Sequence, residues 1–254
     1  MRDRGMAAKR YVSGPRPADG FAGMDDTNQA GNFPGGRWVG IANSGSADPA
    51  NNPTIYDFDY TDDFSMAVWV KKTVAGGGND FLFAKEHAGA GNEGYYLFRE
   101  TGSFGPAGVT WKQQASCCKM AAVYDGAGLG TVDDGNWHFL VATNGGSGAV
   151  DHVNTMALYM DGSPVSLGTV NNNINGSMLN TSPLTIGSRQ NGNVVTSNAQ
   201  LDNAAIWNRE LSASEVASLW QAATTAIPEP CSMLLAVFGC GIVLNMRSRR
   251  TPRA

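Results

Sequence analysis

The residues that could carry acid–base or metal chemistry are few in this chain, and they are badly spaced for it. Glutamate occurs only at positions 86, 93, 100, 210, 215 and 229. A retaining glycosidase needs two carboxylates about 5 Å apart. On one strand that means acidic residues two apart, because alternate residues share a face. None of the six glutamates stands in a Glu-x-Asp-x-Glu pattern. The histidines His87, His138 and His152 have no metal-ligand spacing on one element, and there is no Gly-x-Ser-x-Gly elbow. Cys117 and Cys118 are adjacent, which disulfide geometry disfavours, and Cys231 and Cys240 lie in an apolar tail. No Cys-x-x-Cys pair offers a zinc site. Gly76-Gly77-Gly78 has no lysine after it and reads as a turn, not a phosphate cradle. The expectation is a chain that is not an enzyme.

Composition narrows the remaining classes. The chain has 254 residues, 42% of them hydrophobic and only 16% charged, with abundant glycine. Such a polar but weakly charged surface suits extracellular β proteins. The net charge of −4 is uneven: four Arg and one Glu lie from Ile227 onward, which leaves a body of 14 basic and 21 acidic residues, net −7. An acidic body repels phosphate backbones, so nucleic acid is excluded as a partner. Acidic groups do suit hard cations such as calcium.

The elements that would position a site read as short strands between Gly, Asn and Asp turns. Phe64 to Lys71 alternates, with apolar residues at 64, 66, 68 and 70 facing one side. Asp80–Lys85, Gly94–Arg99, Gly108–Lys112, Trp137–Thr143, Met156–Met160, Pro183–Ser188 and Ala199–Trp207 continue the pattern. Asp161-Gly162 is the strongest hairpin signal, since both turn positions need φ > 0. One helix is expected after the capping box Ser212-Ala-Ser-Glu215, with Val216, Leu219 and Trp220 on one face, docked on the edge of the sandwich. The fold class is all-β: a jelly-roll sandwich of two antiparallel sheets with one C-terminal edge helix, then a single apolar helix in the tail. The domains expected are an irregular segment at 1–32, the sandwich at 33–222, and a linker and tail at 223–254. Met1 to Arg16 carries five basic residues and one acid with no apolar stretch after it. A signal peptide and a first strand are therefore expected upstream of this start.

Three stretches together resemble the laminin-G-like members of the concanavalin A-like lectin/glucanase superfamily. They are Phe64–Lys71; Asp134–Val141 with Leu158–Gly162; and Leu184–Gly187 with Gln200–Ser212. The resemblance covers roughly residues 33 to 221, and Asn28–Asn43 is similar to the family's second strand region. It implies a jelly roll, glycan binding or adhesion, and in some relatives one calcium ion. Asp202 matches the aspartate of the family's Gly-x-Ile-Asp-Glu segment, although Gln200 and Asn203 replace its Gly and Glu. Asp202 is thus the candidate metal ligand. Trp69, Trp137 and Trp207 read as core. Tyr95, Tyr96 and Trp111, in the more variable middle strands, are the candidates for stacking on a sugar face. A spacer with no ligand, and a glycoside-active enzyme of the same fold, are the alternatives.

The tail, from Ile227, joins Pro228-Glu229-Pro230 to an apolar run and then to Arg247, Arg249, Arg250 and Arg253. This order resembles the PEP-CTERM sorting signal of bacteria. The apolar run of 16 residues, Cys231–Met246, is near the short limit for a bilayer span. A basic cluster after such a run stays cytoplasmic, which places the domain outside. The resemblance implies an exosortase-type processing enzyme as partner, membrane anchoring by the C-terminus before processing, an extracellular or cell-surface location, and an extracellular polysaccharide as the other partner.

Overall fold

The computed structural model describes residues 11–41, 56–72, 79–87, 91–102, 107–116, 119–125, 132–146, 152–189 and 197–226. The strands are β1 (Tyr11–Ser13), β2 (Gln29–Pro34), β3 (Val39–Ile41), β4 (Phe64–Lys71), β5 (Asp80–Glu86), β6 (Gly94–Glu100) and β7 (Gly108–Ser116). Beyond them come β8 (Lys119–Asp125), β9 (Trp137–Asn144), β10 (Met156–Met160), β11 (Ser163–Pro164), β12 (Leu167–Asn172), β13 (Leu184–Ile186) and β14 (Asn198–Trp207). One α-helix, α1 (Ala213–Thr224), follows. Sheet A has the order β1-β2-β14-β4-β9-β10-β11, and sheet B the order β12-β8-β7-β6-β5-β13-β3.

The period-2 pattern of β4 decides how the two sheets meet. Phe64, Met66, Val68 and Val70 are buried in the main core together with Leu97, Trp111 and Val123 of sheet B. Phe64 stacks on Phe58 at 4.6 Å between ring centroids and meets Trp111 edge-on at 5.5 Å. The intervening residues Ala67 and Trp69 point the other way, into a second cluster with Phe21, Trp137, Phe139, Val141, Val216 and Ala223. Sheet A is therefore apolar on both faces.

Its second face is covered by α1 and by the segment before β2. Ser212 caps α1 as expected: its hydroxyl accepts from Glu215 N, and the Glu215 side chain accepts from Ser212 N. The helix lies across the outer face of sheet A instead of the edge, with Trp220 stacked on Trp69 at 5.5 Å and both rings against Phe21. The buried line runs through Val216, Trp220 and Ala223, and Leu219 turns outward at 38% exposure. The outer face of sheet A supplies an apolar surface that the sandwich edge lacks. Residues 11–34 are likewise not irregular throughout, since β1 pairs with β2, and β2 with β14.

Buried ion pairs tie loops to the strand ends. Lys85 Nζ lies 2.6 Å from Asp57 Oδ1 and donates to the carbonyls of Asn180 and Ser182. Lys72 and Arg99 share Asp80, and Arg99 forks onto Asp133. The Asp161-Gly162 turn has φ of 52° and 76°, as its sequence requires. Asp161 also accepts from Phe139 N at 2.8 Å.

Two substitutions separate core from cap. Phe64→Ala is expected to cost about 3–5 kcal/mol in urea unfolding, because it leaves a cavity among three aromatic rings. Ser212→Ala should cost about 1 kcal/mol, the value of a lost N-cap. Similar costs for the two would show that β4 does not organise the core.

Candidate functional site

With sheet A covered on both sides, the broad sheet face left open by the described residues is the outer face of sheet B. Register fixes what stands there. Tyr96 on β6 lies opposite Lys112 on β7, which lies opposite Ala122 on β8. In the next row Phe98, Thr110 and Tyr124 align, and Tyr124 pairs with Gly168 on β12. Phe81, Ala84, Tyr96 and Phe98 form a buried apolar patch. Arg189 lies over the Phe81 and Tyr96 rings at 5.4 and 5.8 Å and forks onto the carboxylate of Glu86. Lys112 Nζ lies 5.4 Å from the centre of the Tyr96 ring. Burial pulls the Lys112 ammonium down to about 8, and the Arg189 charge adds to the effect.

The aromatics expected to stack on sugar do not do so. Tyr95, Tyr96 and Trp111 are all 2% exposed or less. Tyr95 and Tyr96 are neighbours on one strand, so they must face opposite ways. Tyr95 enters the core and donates to Tyr56 O, and Trp111 enters it from β7 and donates to Thr143 O. Tyr96 is on the outer face but is buried, with its hydroxyl on Gln114 Oε1. The accessible aromatic on this face is Tyr124, half-buried, which sequence reasoning missed. A Cβ at Gly168 would come within 2.3 Å of the Tyr124 ring, so the glycine is what lets the ring lie there. The signal was present in Lys119-Met-Ala-Ala-Val-Tyr-Asp125, whose Met120, Ala122 and Tyr124 share a face.

A family model of the laminin G type, described as the concanavalin A-like lectin/glucanases superfamily, matches residues 42–217. The chain belongs to this superfamily. No curated protein matches the sequence. Among solved structures, the binding domain of Paraclostridial Mosquitocidal Protein 1 is similar at 16% identity and a TM-score of 0.50, over 84% of this chain and 45% of that one. The binding domain of botulinum neurotoxin serotype D is similar at 15% identity and a TM-score of 0.50, over 76% and 42%. The chain thus spans less than half the length of these two domains, and at such identities the likeness shows the fold alone.

A glycosidase of the usual kind would need two carboxylates close together, and the two glutamates on this face are far apart. Glu86 lies opposite Gly94, and Glu100 is six residues further along β6. That is about 20 Å at the usual rise of a strand, against about 5–9.5 Å for glycosidase pairs. Both are committed elsewhere, Glu86 to Arg189 and Glu100 to Asn79 Nδ2 and Gly102 N.

Asp202 lies at a bulge in β14, just before Asn203 at φ 44°. Its Oδ2 accepts from Asn28 Nδ2 at 2.7 Å and its Oδ1 from Asn203 N at 2.8 Å. Arg16 donates twice to Asn28 O, and the backbone of Gly14 packs against the Asn28–Asp202 pair. Burial holds the Asp202 carboxyl above its usual range, against the two hydrogen bonds. Calcium takes six to eight oxygens. This setting offers one carboxylate whose two oxygens are already met by N–H donors. The residues as arranged do not fit the ion. Among the described residues no group of three His, Cys, Asp or Glu could hold a metal. The carboxylate acts as a clip between β14 and the segment before β2.

His138 is the other conspicuous polar group. Its Nδ1 lies 2.8 Å from Asp161 Oδ2 and its Nε2 3.1 Å from Asp134 Oδ1. The hydrogen bond to Asp161 holds the imidazole above its usual value despite its partial burial, with Asp134 helping. The Pro228-Glu229-Pro230 motif and Arg247, Arg249, Arg250 and Arg253 lie outside the described residues.

Two measurements check these assignments. Melting curves in calcium and in EDTA should coincide, for wild type and for Asp202→Ala. A calcium-dependent rise that the variant loses would restore Asp202 as a ligand. For His138, a raised folded pKa means stabilisation that is full below the unfolded value of about 6.5 and is lost as pH rises through the folded value. Stability measured across that range should fall with pH in wild type more than in His138→Gln. Equal slopes would show that the imidazole is not held as a cation.

Proposed function

We propose that this domain is a non-catalytic glycan-binding module at the cell surface or in an extracellular matrix, and that it takes its ligand on the outer face of sheet B. The observation that carries the reading is the accessible patch of Lys112, Met120, Tyr124 and Val170 on the face of sheet B, away from α1. An aromatic ring beside cationic and hydroxyl groups is the combination that a sugar, apolar on one side and polar at its rim, requires. Membership of a lectin and glucanase superfamily supports a carbohydrate ligand. The wide separation of Glu86 and Glu100 supports binding without hydrolysis.

Export and sorting belong to the same reading. Pro228-Glu229-Pro230, the apolar run and the Arg-rich end form a C-terminal signal for an exosortase-type enzyme, which would cut near the motif. Until then the tail anchors the chain in the membrane with the domain outside. Among the described residues no helix is long and apolar enough to cross a membrane, so this part rests on the sequence of the tail.

A glycan array probed with the purified chain tests the main reading. Retention of one glycan class is expected, unchanged by EDTA and weakened about tenfold (1.4 kcal/mol) by Tyr124→Ala. Retention of no glycan would leave an inert spacer, and release of shortened products would make the domain an enzyme. For the tail, a reporter fused after Ala254 should stay cytoplasmic before processing. Cleavage of that reporter by protease added to intact cells would refute the orientation.

A further inference from the structure

The outer face of sheet B contains a small cavity where β6, β7, β8 and β12 meet, walled by Phe98, Met120, Ala122 and Val170. Its polar lining is Lys112, Thr110 and Glu100. The volume is about 20 Å³, room for a water or a carboxylate group and not for a sugar ring.

Two of the three polar groups lack partners. Thr110 is 4% exposed, and its Oγ1 has no hydrogen-bond partner among the described residues. An unpaired buried hydroxyl costs about 1–3 kcal/mol, so its persistence calls for an occupant that can bond to it. Lys112 Nζ makes no hydrogen bond or ion pair among the described residues, and its one described contact is the Tyr96 ring. No carboxylate pairs with it directly, although Glu86 and Glu100 both act on it at longer range. Glu86 is held by Arg189, and Glu100 accepts from Asn79 and from Gly102 N. A half-buried cation without a direct ion-pair partner, lining the same cavity as a hydroxyl without a partner, can receive an oxyanion.

We propose that this cavity receives the carboxylate of an acidic glycan, a hexuronate, with one oxygen on Lys112 Nζ and the other accepting from Thr110 Oγ1, while the sugar ring lies outside over Met120 and Tyr124. The proposal rests on the glycan-binding reading and narrows it to polyuronates. The lowered affinity of Lys112 for its proton is the state that an arriving anion relieves.

The test is calorimetric titration of the purified chain with oligogalacturonate and with the same oligosaccharide methyl-esterified, which removes the charge and keeps the sugar. The acid form is expected to bind at least tenfold more tightly. Lys112→Met should abolish that preference. Thr110→Val, which removes the lone hydroxyl without opening a cavity, should weaken binding of the acid form while leaving the melting temperature unchanged or higher. Binding should also fall about tenfold between pH 7 and pH 9, as a lysine with a pKa near 8 loses its proton. Equal binding of acid and ester overturns the carboxylate site and leaves the glycan reading intact. Preference for dextran sulfate over oligogalacturonate makes the anion a sulfate and overturns the hexuronate. Binding to neither oligosaccharide overturns the proposal. The array then decides whether the glycan reading falls with it.

Discussion

The structure depends on one constraint: sheet A is apolar on both faces, so it must be buried twice. The alternation of β4 imposes this, since Met66 and Val68 face sheet B while Ala67 and Trp69 face away. One face is satisfied by the second sheet. The other would strand Trp69, Trp137 and Phe139 in water, at roughly 1.5–3 kcal/mol for each large side chain. The helix after Ser212 and the segment before β2 are there to cover them. Asp202 belongs to that arrangement, fastening the covering segment to β14 through Asn28. A residue carried over from a family motif as a metal ligand is explained here by the packing of the N-terminal segment.

Covering sheet A leaves the outer face of sheet B as the face proposed for binding. Sheet B turns a polar row outward over a buried aromatic layer, and the groups in that row are incompletely paired. Arg189 and Glu86 neutralise each other, whereas Lys112 and Thr110 remain open to an outside partner. The distinction is local. The body of the chain is acidic, yet the Lys112 ammonium stands on an apolar floor without a direct ion-pair partner. At physiological ionic strength the Debye length is about 8 Å, so this near field, not the net charge, decides what binds there.

Much of the framework was legible in the sequence, because its signals are local. The β4 alternation, the Asp161-Gly162 turn and the Ser212–Glu215 capping box each depend on residues within a few positions of one another, and each is found where expected. The candidate site was less legible. β8 and β12 are not among the expected strands: Met-Ala-Ala-Val-Tyr is apolar on both faces, and Leu167–Asn172 has one glycine and two asparagines among its six residues, so neither shows alternation. Tyr95 and Tyr96 are adjacent in the sequence, and adjacent residues on a strand cannot share a face. Tyr124 and the unpaired hydroxyl of Thr110 become meaningful only through cross-strand register, which a linear sequence does not display. Leu219 was placed on the buried face by helical spacing, but the helix is rotated to bring Trp220 onto Trp69.

The central claim is that the outer face of sheet B is the binding face. The most direct measurement is residue-resolved NMR of the labelled chain during titration with oligogalacturonate. The account predicts that perturbed signals cluster at Thr110, Lys112, Met120, Ala122, Tyr124 and Val170, while Trp69, Val141 and the residues of α1 stay unmoved. Perturbations confined to the groove of Trp207, Leu211 and Leu219, or to Asp202 and Asn28, would place the binding face elsewhere and contradict it.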